Sequence, residues 1–84
     1  MLSWVIEMYD CQRVRDLRED AELSQEHIAK MLGIAQQVYS TYETGKFRFP
    51  IEHLIKLASY YKTSVDYLVG LTDERSPYPR KRTK

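Results

Sequence analysis

Hydrophobic positions recur along this chain at helical spacing, and Ser, Gly and Pro residues divide the pattern into five short segments. In RVRDLREDA, residues 13–21, Val14, Leu17 and Ala21 stand at i, i+3 and i+7, one stripe of an amphipathic helix. Ser24 stands directly before QEHIAKML, where its hydroxyl can accept from free backbone N–H groups while Glu26 adds negative charge in the first turn. A second helix over residues 25–32 follows, closed by Gly33, which adopts a left-handed backbone without steric cost. Apolar Ile34 fills the corner, and a third helix over residues 35–43 ends at Thr44 and Gly45. Two helices of about two turns joined by about three or four residues form a helix-turn-helix.

Residues 46–49 read as a loop, and Pro50 at the first helical position opens IEHLIKLASYY, with Ile51, Leu54, Ile55, Ala58 and Tyr61 on one face. Ser64 caps a short fifth helix, VDYLV, stopped at Gly70. Beyond Asp73 the run SPYPRKRTK, with two prolines and a basic cluster, predicts an extended or disordered tail. The chain is therefore divided into an N-terminal extension (1–10), a helix-turn-helix domain (11–72) and a basic C-terminal tail (73–84).

The third segment departs from the others. At about 100° per residue, Gln36, Ser40, Thr44, Gln37 and Thr41 share one sector of about 140°, and Val38, Tyr42, Ala35 and Tyr39 share the opposite one. The expected arrangement buries Tyr39 and Tyr42 and displays amides and hydroxyls. Polar faces are ordinarily just solvated, but elsewhere in this chain they are written with Lys, Arg, Asp and Glu, and this one is uncharged. A Gln amide offers a donor and an acceptor in one plane, matching the N6 and N7 edge of adenine, and short hydroxyls or methyl groups suit neighbouring bases and the thymine methyl.

Composition narrows the classes. Eighty-four residues with 43% hydrophobic and 30% charged side chains fit one small helical domain. MLSWVIEMY is too short to span a bilayer and lacks the flanks of a signal peptide, so a cytoplasmic location is expected. Cys11 is the single cysteine, which excludes an internal disulfide. The net charge of +1 hides nine basic against twelve acidic side chains over residues 1–79, a balance of −3, so a nucleic-acid surface has to be local. His27 and His53 stand apart with no cysteine at metal spacing, and no phosphate loop or nucleophile with a base at recognisable spacing occurs. The expectation is no enzyme, no metal, no cofactor and no small-molecule substrate.

LSQEHIAKMLGIAQQVYSTYETGK resembles the helix-turn-helix of the phage repressor and Cro type, the XRE-like family. The marks are LSQ before helix two, Ala29, Gly33, Ile34 and the closure at Tyr42, Glu43, Gly45 and Lys46, and the likeness extends over residues 8–70. It implies an all-α, five-helix lambda-repressor-like domain that binds double-stranded DNA as a homodimer with helix three in the major groove. Carried over by position, Gln36, Gln37, Ser40 and Thr41 are implied base contacts, and Gln25, Thr44, Lys46 and Arg48 implied phosphate contacts. Arg18 is implied to pair with Glu43.

Two departures stand out. Ala35 replaces the family's small hydroxyl residue and forgoes a cap worth about 1 kcal/mol. Thr41 is shorter than the Gln or Arg often found there. A homodimer implies an inverted-repeat operator with half-sites about one helical turn apart, with dimer contacts expected from Tyr67, Leu68, Val69 and Leu71. Arg13 and Arg15 are open to either a DNA-backbone or a solvated role, as is the terminal RKRTK, and Tyr60, Tyr61 and Tyr67 to core or dimer surface. Trp4, Val5 and Ile6 are expected to cover helix one or an interface if ordered. The rival reading is an antitoxin-like or adaptor module binding a protein partner through the same fold.

Overall fold

Local chemistry sets most of the helix boundaries. The computed structural model describes residues 11–77, and these form five helices: α1 (Gln12–Asp20), α2 (Gln25–Leu32), α3 (Gln36–Glu43), α4 (Ile51–Tyr61) and α5 (Val65–Leu68). Ser24 lies in the extended region and its Oγ accepts the His27 N–H at 3.0 Å; Ser64 does the same for the Tyr67 N–H at 3.0 Å. Gly33 at φ 76° turns the chain, so that the Ile34 N–H reaches the Ala29 carbonyl at 3.0 Å and the Gly33 N–H the Lys30 carbonyl at 3.1 Å. The same closure ends α4, but there a lysine, Lys62, takes the left-handed position at φ 59°.

The core draws on every element. Val14 and Leu17 of α1, Ile28, Ala29 and Leu32 of α2, and Tyr39 of α3 meet Leu54, Leu57 and Ala58 of α4. Leu68 and Val69 close it from the end of α5, and Phe49 enters from the loop. Helix α2 packs chiefly on α3, and α5 on α4 and α1. Among the described residues no helix is long and apolar enough to cross a membrane. The expectations for Trp4, Val5, Ile6 and the terminal RKRTK lie outside the described residues.

Several expectations need correction. Ala21 is exposed, because α1 stops at Asp20 and leaves it as the C-cap. Pro50 is the N-cap of α4 rather than its first residue. On α4 the buried stripe runs through Leu54, Leu57 and Ala58, and Ile51 and Ile55 are exposed. Leu54 and Ala58 belong to the expected face, and Leu57 joins them in the core in place of Ile51 and Ile55. Leu68 and Val69, expected at a dimer surface, are core residues, since one-turn α5 has little else with which to anchor itself. Leu71 does stay exposed.

Arg13 fastens the two ends of this domain together. Its guanidinium donates to the carbonyl oxygens of Tyr67 (3.0 Å) and Thr72 and to Asp73 Oδ1 (2.6 Å), and it lies 4.1 Å from the centroid of the Tyr67 ring. These contacts give Arg13 a structural role within the fold, and its guanidinium covers the Tyr67 ring. Arg15 pairs with Glu19 on the surface of α1 at 3.1 Å.

Candidate nucleic-acid interface

The orientation of α3 is fixed from inside by one carboxylate. Glu43 has a side chain only 2% exposed, and four donors converge on it. Arg18 gives Nε to Oε2 at 2.8 Å and Nη2 to Oε1 at 3.0 Å, Gln25 gives Nε2 to Oε1 at 2.8 Å, and the Tyr39 hydroxyl reaches Oε2 at 2.6 Å. Arg18 also donates Nη1 to the Leu23 carbonyl at 2.7 Å. The implied Arg18–Glu43 pair is therefore present and two-pronged, and the carboxylate ties α1, the start of α2 and the end of α3 into one unit. Burial is the largest single influence on Glu43 and pushes its carboxyl upward, but the hydrogen bonds from Arg18, Tyr39 and Gln25 together outweigh it and hold the group below its ordinary value. Burial, followed by the bond to Glu43, drives the Tyr39 hydroxyl far upward, so it remains a donor.

With its inner side held, α3 presents the neutral row outward. Gln36, Gln37 and Thr44 are exposed, and Ser40 and Thr41 are half-buried. Gln25 joins them across the turn: it lines one shallow depression with Gln36, Gln37 and Ser40. Its amide is thus anchored on Glu43 by one N–H while the group as a whole borders the surface. The threonine hydroxyls are committed to the backbone, Thr41 Oγ1 donating to the Val38 carbonyl at 2.6 Å and Thr44 Oγ1 to that of Ser40 at 2.9 Å. Toward a ligand they can act as acceptors and as methyl groups.

Two exposed cations lie where α3 gives way to the loop. Lys46 and Arg48 are both exposed, and the Lys46 ammonium sits 5.9 Å from the Phe47 ring centroid. Among the described residues no group of three His, Cys, Asp or Glu side chains is arranged to hold a metal ion.

The predicted division of α3 fails on one flank. Tyr39 is fully buried and Tyr42 packs on Phe49 at 5.2 Å between centroids, as the pattern requires, but Val38 is 40% exposed and Ala35 is exposed too. Val38 borders the polar sector next to Thr41, and its place at that edge was the signal the two-sector reading passed over. Phe47, 58% exposed, was read only as loop.

Ala35 occupies the N-cap with extended geometry (φ −70°, ψ 150°) and makes no side-chain cap, whereas Ser24 and Ser64 cap from similar backbone angles. Ala35→Ser is expected to stabilise the domain by about 1 kcal/mol, read as a melting temperature higher by about 4–8 °C. An unchanged or lower melting temperature would mean that the first turn of α3 cannot use the hydroxyl.

Comparison with known proteins agrees with this geometry. The family model described as Helix-turn-helix matches residues 14–68. "Uncharacterized HTH-type transcriptional regulator YobD" of Bacillus subtilis is 43% identical over 67 residues, covering 80% of this chain and 60% of that protein. "HTH-type transcriptional regulator AnsR" of the same organism is 34% identical over 68 residues, 81% of this chain and 59% of that protein. "Cryptic phage CTXphi transcriptional repressor RstR" of Vibrio cholerae is 35% identical over 58 residues, 69% of this chain and 52% of that protein. The chain thus spans between half and three fifths of the length of these relatives. No solved structure matches it significantly. With the matched region running from the core of α1 to the end of α5 and enclosing the turn at Gly33, the chain belongs to the helix-turn-helix family of the phage repressor and Cro type.

Proposed function

We propose that this protein is a sequence-specific DNA-binding transcriptional regulator that acts as a homodimeric repressor on an inverted-repeat operator. The observation that carries the reading is the uncharged amide row, exposed on a helix whose inner side is locked to two others through Glu43. Gln36 and Gln37 reach base edges, Ser40 and Thr41 contact them more shallowly, and Lys46, Arg48, Thr44 and Gln25 meet the phosphates on either side. The relative named as a phage repressor supports repression in particular. Two-fold symmetry sets half-sites about one turn of DNA apart, and among the described residues the large exposed hydrophobic side chains left for a subunit contact are Ile51, Ile55, Tyr60 and Leu71.

Selection of bound duplexes from a random pool is the direct test. Enrichment of a palindromic sequence with adenine in each half-site supports the proposal; recovery of no common sequence at low salt overturns it. Substitution of the loop cation adds a second check. Lys46→Ala should weaken binding to every duplex alike and reduce the slope of log K against log salt by about 1 per protomer. An unaltered salt slope would remove Lys46 from the phosphate contacts.

A further inference from the structure

The amide row leaves part of the adjoining surface unexplained. Val38 and Phe47 line an open hollow together with Gln37, Thr41, Tyr42 and Arg48. Its walls are fixed. The Phe47 N–H donates to the Thr41 carbonyl at 3.0 Å, which holds the loop on the end of α3. Tyr42 is braced behind it by Phe49 and His53, with ring centroids at 5.2 and 6.1 Å. Thr41 gives its hydroxyl proton to the Val38 carbonyl, so it offers the hollow a lone pair and a methyl group. The result is a largely apolar hollow whose lining also includes the amide residue Gln37 and the cationic residue Arg48.

We infer that this hollow receives the C5-methyl group of a thymine in the major groove, and that Val38 and Phe47 are specificity-determining residues for that base. The inference rests on the proposed DNA binding and deepens it. The thymine methyl is the apolar group that unmodified B-DNA exposes on its major-groove edge, and it stands beside the O4 acceptor. Gln37 borders both the amide depression and the hollow, so a base pair near the one it reads comes to lie over Val38. Arg48, also part of the lining, has the charge to meet the phosphate that flanks such a base. One methyl group matches the scale of the Val38 isopropyl and Thr41 methyl that it would cover.

The test uses the duplex recovered by selection, with its thymines replaced one at a time by deoxyuridine, which removes the methyl and leaves every hydrogen-bonding group. At one thymine per half-site the loss of affinity should be about fourfold, and about fifteenfold when both symmetry-related positions are changed, the ratios expected for burial of one and two methyl groups. Val38→Ala and Phe47→Ala should bind thymine and uridine duplexes alike. Both side chains are exposed, so the circular dichroism and melting temperature of the variants should match those of the unaltered protein. Two results overturn the inference while leaving the proposed function standing: equal binding of uridine and thymine at every position, or discrimination that persists in both variants. Failure to enrich any duplex overturns both.

Discussion

Glu43→Ala should destabilise the protein by about 3–5 kcal/mol, because it leaves Arg18 charged and largely buried with only the more distant Glu19 as a counter-charge. Arg18 is 12% exposed and has no other carboxylate so close, Glu19 lying at 3.8 Å. The Tyr39 hydroxyl, inside the core, also loses its acceptor. A domain is held folded by only about 5–15 kcal/mol, so much of the margin is removed. Urea unfolding followed by circular dichroism reads the effect directly, and a midpoint equal to that of the unaltered protein would show that the carboxylate does not hold the three helices.

The same group gives the pH dependence a sign. The Glu43 carboxyl is held below its ordinary value in the folded state, so its contribution is complete above the unfolded value of about 4.5 and disappears as pH falls through the folded one. Below about pH 4.5 the unaltered protein should therefore lose stability more steeply than Glu43→Gln, which is already weakened at pH 7 and has no proton to take up there. Parallel curves for the two proteins between about pH 5 and pH 3 would place the acid sensitivity elsewhere.

The second large effect is on DNA. Gln36→Ala and Gln37→Ala should each weaken specific binding by about 1–3 kcal/mol per half-site, the cost of losing a bidentate base contact. A dimer carries the change twice, so the total for a symmetric operator is about 2–6 kcal/mol. Binding to scrambled duplex should hardly change, since neither residue bears charge and non-specific affinity comes from the phosphates. Fluorescence anisotropy against operator and scrambled duplex separates the two. If the double variant binds both as tightly as the unaltered protein, the amide row does not read bases.

Much of this architecture could be read from the chain because it is written in nearest-neighbour chemistry. Ser24, Gly33 and Ser64 mark helix ends through hydrogen bonds that span about three to five residues. Arg18 and Glu43 are 25 residues apart, and their pairing came from the family resemblance rather than from spacing. What stayed illegible depends on tertiary packing. On α4, Leu54 and Ala58 were placed on the inner side, but Leu57 and not Ile51 or Ile55 joins them there, and all of these positions are compatible with a helical period. Helix α5 has four residues, too few for a period to separate core from surface, so Leu68 and Val69 were misplaced. Arg13 finds its partners 54 to 60 residues away. In the candidate site the amide row was legible, but its apolar border was not, since Val38 falls where the two sectors meet.

The Arg13 clasp has a consequence for engineering the domain. With residue 13 bonded to residues 72 and 73, the start of α1 and the segment after α5 lie within reach of one arginine side chain. A short Gly/Ser bridge could therefore join them into a closed ring without moving a helix, and fresh termini could be cut at a surface loop, the arrangement in which circular permutants usually fold.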